Sequence, residues 1–80
     1  MTTPYDIKIT PTAYRQINSL SLKHRRLIIK LAEALAINPR PPGAKKIMGM
    51  TGLYSEQIDN LRLIYKVEEQ EVLLLLVKLS

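Results

Sequence analysis

Six consecutive apolar residues, Val72–Val77 (VLLLLV), constrain the fold more than any other stretch of this sequence. The run is far too short to cross a bilayer, which takes about 20 residues of helix. Read as a strand it is apolar on both sides, with Val72, Leu74 and Leu76 on one and Leu73, Leu75, Val77 and Leu79 on the other. Strands of that kind lie inside a sheet and are covered on both faces. A chain of 80 residues has apolar material for a single core and hence for one domain, residues 1–80. Two helices can cover one face of the sheet, so the second cover is expected from a partner chain.

The remaining pattern says what surrounds this strand. "YDIKI" alternates, with Tyr5, Ile7 and Ile9 on one side and Asp6 and Lys8 on the other, as in a half-buried strand. Thr10 and Pro11 mark a helix start, because threonine caps and proline at the first helical position loses no needed N–H. Ala13, Tyr14, Ile17 and Leu20 then recur at helical spacing. After a break near Ser19–Ser21, "LKHRRLIIKLAEALAIN" sets His24, Leu27, Ile28, Leu31 and Leu35 on one face and Arg26, Lys30 and Glu33 on the other. Asn38 before Pro39 closes this helix. "NPRPPGAKK" is a connector, and three strand signals follow at Lys45–Met48, Leu53–Ile58 and Leu61–Val67, with Asp59-Asn60 as the turn between the last two. "VEEQE" is a polar turn leading into the final strand.

Strand, helix, helix and a meander of strands make an α+β fold, β-α-α-β-β-β(-β), with two N-terminal helices packed on one face of an antiparallel sheet. Alternation in Leu61–Val67 puts Leu61, Leu63, Tyr65 and Val67 under the helices and leaves Arg62, Ile64 and Lys66 on the open face. With no Phe or Trp, aliphatic side chains and the four tyrosines must fill the interior, and Tyr5, Tyr14 and Tyr65 are expected in the core.

With no cysteine, disulfides and cysteine zinc sites are excluded. A single histidine argues against a His-rich metal site, and no cofactor is expected. The start, "MTTPYDIKIT", shows no basic segment followed by an apolar run, so no signal peptide is expected and a cytoplasmic location is. The net charge of +5 is unevenly spread: residues 1–50 hold nine Lys/Arg against two acids, residues 51–80 three against five. The basic half suits an anionic partner such as nucleic acid or an acidic protein.

Three stretches, "YDIKITPTAYRQINSL", "ALAINPRPPGAKKIMGM" and above all "GLYSEQIDNLRLIYKVEEQEVLLLLV", resemble the RelE/ParE superfamily of bacterial toxin–antitoxin toxins, and the resemblance covers nearly the whole chain. It implies a compact α+β fold that antagonises growth and is held inactive by a co-encoded antitoxin. The RelE branch cleaves messenger RNA in the ribosomal A site, and the ParE branch poisons DNA gyrase. Arg62 matches the family's arginine on the fourth strand and is the expected catalytic cation. Lys45, Lys46, Lys66, Arg26 and Lys30 are expected to contact RNA, and Ile64, Leu74 and Leu76 to contact the antitoxin.

The chain also departs from the family's pattern. Ser55 and Gln57 stand where many relatives carry Arg or Lys. The last strand is followed by Ser80 rather than by a basic pair and a later tyrosine. His24 reads as a packing or surface residue rather than a displaced base. The expected function is that of a RelE-like toxin of a type II toxin–antitoxin system, inhibiting translation by ribosome-dependent mRNA cleavage. The alternative is a catalytically degenerate or gyrase-directed homologue acting by protein binding.

Overall fold

The computed structural model describes residues 4–47 and 49–79. Its elements are β1 (Asp6–Ile9), α1 (Pro11–Asn18), α2 (Leu22–Ile37), β2 (Lys45–Lys46), β3 (Leu53–Ile58), β4 (Leu61–Val67) and β5 (Glu71–Leu79). Met48, the expected end of the second strand, and Ser80 lie outside the described residues.

Each helix begins as its residues dictate. Thr10 stays extended and its Oγ1 accepts a hydrogen bond from the Ala13 N–H, with Pro11 at the first helical position. Ser21 caps α2 by accepting from the His24 N–H, and α2 stops at Asn38, whose extended backbone is the conformation a following proline requires. The buried residues are Ala13 and Ile17 on α1 and Ile28, Leu31 and Leu35 on α2. Tyr14, expected in the core, is instead 59% exposed. α1 meets the sheet through Ala13 and Ile17, and one residue further along a helix is about 100° around its axis, so Tyr14 turns outward.

The five strands form one sheet in the order β1-β5-β4-β3-β2, with β1 parallel to β5 and all other pairs antiparallel. The meander from β2 to β5 is the expected one. The parallel docking of β1 against β5 places the apolar run inside the sheet, as its composition requires. Leu61, Leu63, Tyr65 and Val67 of β4 and Val72, Leu74 and Val77 of β5 are buried against the helices. Each such aliphatic side chain contributes roughly 1.5–3 kcal/mol of burial free energy.

β5 does not alternate along its whole length. Tyr65 pairs with Leu74 and Ile64 with Leu76, so Leu75 is an extra residue, a β-bulge that reverses the phase of the strand. The helix-facing set is therefore Val72, Leu74 and Val77, and Leu76 joins the open face, which corrects the simple period-two assignment. It also removes Leu74 from the expected antitoxin surface, since Leu74 is fully buried beneath the helices. Beyond Leu74 no strand among the described residues flanks β5 on its β1 side, and α1 supplies the missing partner. The Gln16 side chain accepts from the Val77 N–H at 2.7 Å, and Thr10 Oγ1 donates to the Leu74 carbonyl at 2.9 Å.

On β3, Tyr54, Glu56 and Ile58 pair with Tyr65, Leu63 and Leu61 on the helix side, and Leu53, Ser55 and Gln57 look out from the open face. Asp59 takes the turn position with φ 56°, and Gly52, at φ 77°, brings its carbonyl to the Val67 N–H. Among the described residues no helix is long and apolar enough to cross a membrane.

Candidate functional site

Because both helices lie on one face of the sheet, the other face is open, and cross-strand register decides which side chains meet there. One row reads Lys78, Arg62 and Gln57 across β5, β4 and β3; the next reads Leu76, Ile64, Ser55 and Lys45 across β5 to β2; a third holds Leu73, Lys66 and Leu53. A polar cavity of about 90 Å³ opens at the β2–β4 end of these rows, lined by Gly43, Lys45, Ser55, Gln57 and Arg62. The Arg62 Nη2 donates to Gln57 Oε1 at 3.5 Å, a long contact that leaves most of the guanidinium fork available. None of the described lining residues is acidic.

The connector between α2 and β2 holds this rim in place from behind. The Tyr65 hydroxyl, buried in the core, donates to the Pro39 carbonyl at 2.9 Å, and burial pushes its ionisation well above the usual range for a phenol. Tyr54 stacks on Tyr65, with ring centroids 5.8 Å apart, and its hydroxyl accepts from Arg40 Nε at 2.9 Å. The Ala44 N–H then closes a turn onto the Pro41 carbonyl at 2.9 Å, which delivers Gly43 and Lys45 to the cavity. The connector's prolines and glycine mark it only as a link; the signal for its role is the buried Tyr65, whose hydroxyl needs a hydrogen-bond partner.

Glu56 sits just behind the cavity wall, on the helix side. A Cβ at Gly43 would lie 3.2 Å from its Oε1, and its Oε2 is buried without a hydrogen-bond partner. Burial holds the carboxyl above the usual carboxylate range.

The structure brings Arg62 and Lys45 to one cavity. Lys66 shares their face but stands four residues from Arg62 along β4, about 13 Å at the strand rise of ~3.3 Å per residue. It pairs with Glu68 at 3.8 Å, an exposed contact worth little. Lys46, opposite Tyr54, points to the helix side of the sheet edge. Arg26 and Lys30 are exposed on α2, with the sheet between them and Arg62. Of the apolar residues expected to bind an antitoxin, Ile64 and Leu76 are paired, half-buried neighbours on the open face beside Arg62. His24 is half-buried on α2 and does not reach the cavity lining. Lys78 stands directly across from Arg62 on the open face.

Chemically the arrangement suits an oxyanion. Arginine offers a planar fork of donors, lysine a point charge, and Ser55 a hydroxyl, the donor set used to hold phosphate. Among the described residues the lining contains no histidine and no carboxylate, the groups that most often move protons near neutral pH. A second concavity of about 210 Å³, almost wholly apolar, lies on the helix side between β1, α1 and α2, where Ile9, Tyr14, Ile17, Ile28 and Ile29 line it.

No protein-family model matches the chain, and no curated protein matches its sequence. Solved structures do match. The RelBE2 toxin–antitoxin complex from Mycobacterium tuberculosis contains a chain 23% identical, superposing with a TM-score of 0.84 over 96% of this chain and 99% of its own. The archaeal RelE–RelB complex from Pyrococcus horikoshii OT3 gives 25% identity and a TM-score of 0.84 over 98% of this chain and 96% of its own. The isolated E. coli RelE toxin gives 21% identity and a TM-score of 0.85 over 95% of this chain and 84% of its own.

Proposed function

We infer that this chain, which carries the fold of the RelE toxins along nearly its full length, is the toxin of a type II toxin–antitoxin system and acts in the cytoplasm by inhibiting translation. The observation that carries this reading is the acid-free cavity on the open sheet face, where Arg62, Lys45 and Ser55 converge. Such a site holds a phosphodiester and stabilises charge that builds up on it, which is what cleavage of ribosome-bound mRNA asks of a protein. Arg62 would carry the charge on the scissile phosphate, with Lys45 beside it and Lys66 further along the strand. The partner is a cognate antitoxin, as in the solved RelE–RelB complexes. Two apolar surfaces are available to it: Ile64 and Leu76 beside Arg62, and the groove lined by Ile9, Tyr14 and Ile29. A segment laid over the first would cover the cationic site itself.

One observation favours a second reading, in which the chain binds its target without cutting it: the cavity lining supplies cations and a hydroxyl but no histidine or carboxylate. Induced expression in bacteria, with and without the adjacent open reading frame, followed by primer extension on a reporter mRNA, separates the two. Growth arrest that the adjacent frame relieves, with cuts at fixed codon positions, is the expected result. Arrest without cuts would favour the binding reading, and no arrest in the absence of the partner would overturn the toxin assignment.

A further inference from the structure

Lys78 and Arg62 form a directly opposed pair of like charges on the open face. In that position Cβ atoms stand about 4.5–5.5 Å apart and like charges destabilise the sheet. Among the described residues the register sets no carboxylate in this row. It continues to Gln57 on β3, the preceding residue of Lys78 on its own face is Leu76, and β1 ends at Ile9, opposite Leu74, before it could bring a side chain alongside Lys78. The pairing also depends on a special piece of backbone. Without the extra residue at Leu75, strict alternation from Val72 and Leu74 would carry Lys78 to the helix side. The bulge spares the core a lysine but sets that lysine against an arginine, an opposition of like charges that a bound anion would turn into attraction.

We propose that Lys78 is a second phosphate-binding cation of the open-face site, holding the nucleic-acid backbone on the side of Arg62 away from Lys45. The inference rests on the open face being the RNA-contacting surface. Lys45 on β2 and Lys78 on β5 are three strand spacings apart across the sheet and two residues apart along it, about 16 Å between their backbones. That distance is too great for one phosphate, so the two lysines hold different phosphates of one chain with Arg62 between them. The bound species is therefore a polyanion, not a small phosphate ester.

The test uses the full chain and a fluorescent single-stranded RNA of about ten nucleotides, with anisotropy titrations over a series of salt concentrations. For Lys78→Gln the expected result is a loss of affinity of about tenfold, the size of one charged hydrogen bond. The slope of log affinity against log salt should fall by about 0.7, the value for one lost phosphate contact on a single strand. Lys78→Arg should bind as the unaltered chain does, and Lys23→Gln, exposed on α2, should leave both quantities unchanged. Thermal melting of Lys78→Gln should show an equal or higher Tm, since a repulsive pair has been removed; weak binding together with a lower Tm and a normal salt slope would overturn the proposal. If Arg62→Gln weakens binding while Lys78→Gln matches the unaltered chain, the proposal falls and the open-face reading survives. If neither variant changes affinity or slope, both fall together.

Discussion

Glu56 is the residue whose position has the plainest physical consequence. It lies on the helix side of β3 behind the cavity, with one oxygen buried and unpartnered, and its carboxyl is held above the ordinary value of 4.5 by burial. A raised pKa in the folded state means that the fold binds this proton more tightly than the unfolded chain does. The stabilisation is complete below about pH 4.5 and is lost as pH rises through the raised folded-state value. Glu56→Gln keeps the shape and removes the titration. Denaturant unfolding at a series of pH values should therefore show the variant close to the unaltered chain in acid and more stable than it at neutral pH, with the gap opening as pH rises. A gap that is constant across the range would mean that Glu56 is as well solvated in the fold as outside it. Sequence alone left the side of Glu56 open, because Leu53–Ile58 is polar on both faces; only the pairing of Glu56 with the buried Leu63 decides it.

At the scale of elements, Thr10 joins three of them. It caps α1, its N–H and hydroxyl both donate to the Leu74 carbonyl of β5, and it directly follows β1. Thr10→Ala is expected to cost about 1–2 kcal/mol in denaturant unfolding, at the upper end for a lost cap because the hydroxyl also serves β5; no change would show that water replaces it without loss. The cap itself was legible, since Thr-Pro before an apolar period is a local signal, and so were both helices, the β3–β4 hairpin and the buried side of β4, where alternation is clean. The bulge at Leu75 was not. Four leucines in a row give no contrast between faces, so the phase of β5 is set by its register with β4 and by the capture of the Val77 N–H by Gln16, contacts between distant parts of the chain. That single residue separates Leu74, buried beneath the helices, from Leu76 on the open face and sets Lys78 opposite Arg62.

At the scale of the molecule, the sheet separates two surfaces. One is the helix layer, with the apolar groove along its β1 side and Arg26 and Lys30 on the outer side of α2. The other is the open face, where Arg62, Lys45 and Lys78 gather without an acid among them. Charge along the sequence points to one basic half, yet the fold distributes those cations over both surfaces and sets Arg62 and Lys78, from the acidic half, opposite each other on the open face. The central claim is that the open face performs the toxic function. The most direct measurement is growth after induction of the unaltered chain and of Arg62→Ala at matched soluble levels, with circular dichroism confirming that the variant is folded. Arg62 is exposed, so its removal should spare the fold and abolish the arrest. A folded Arg62→Ala protein that arrests growth as strongly as the unaltered chain would contradict the account.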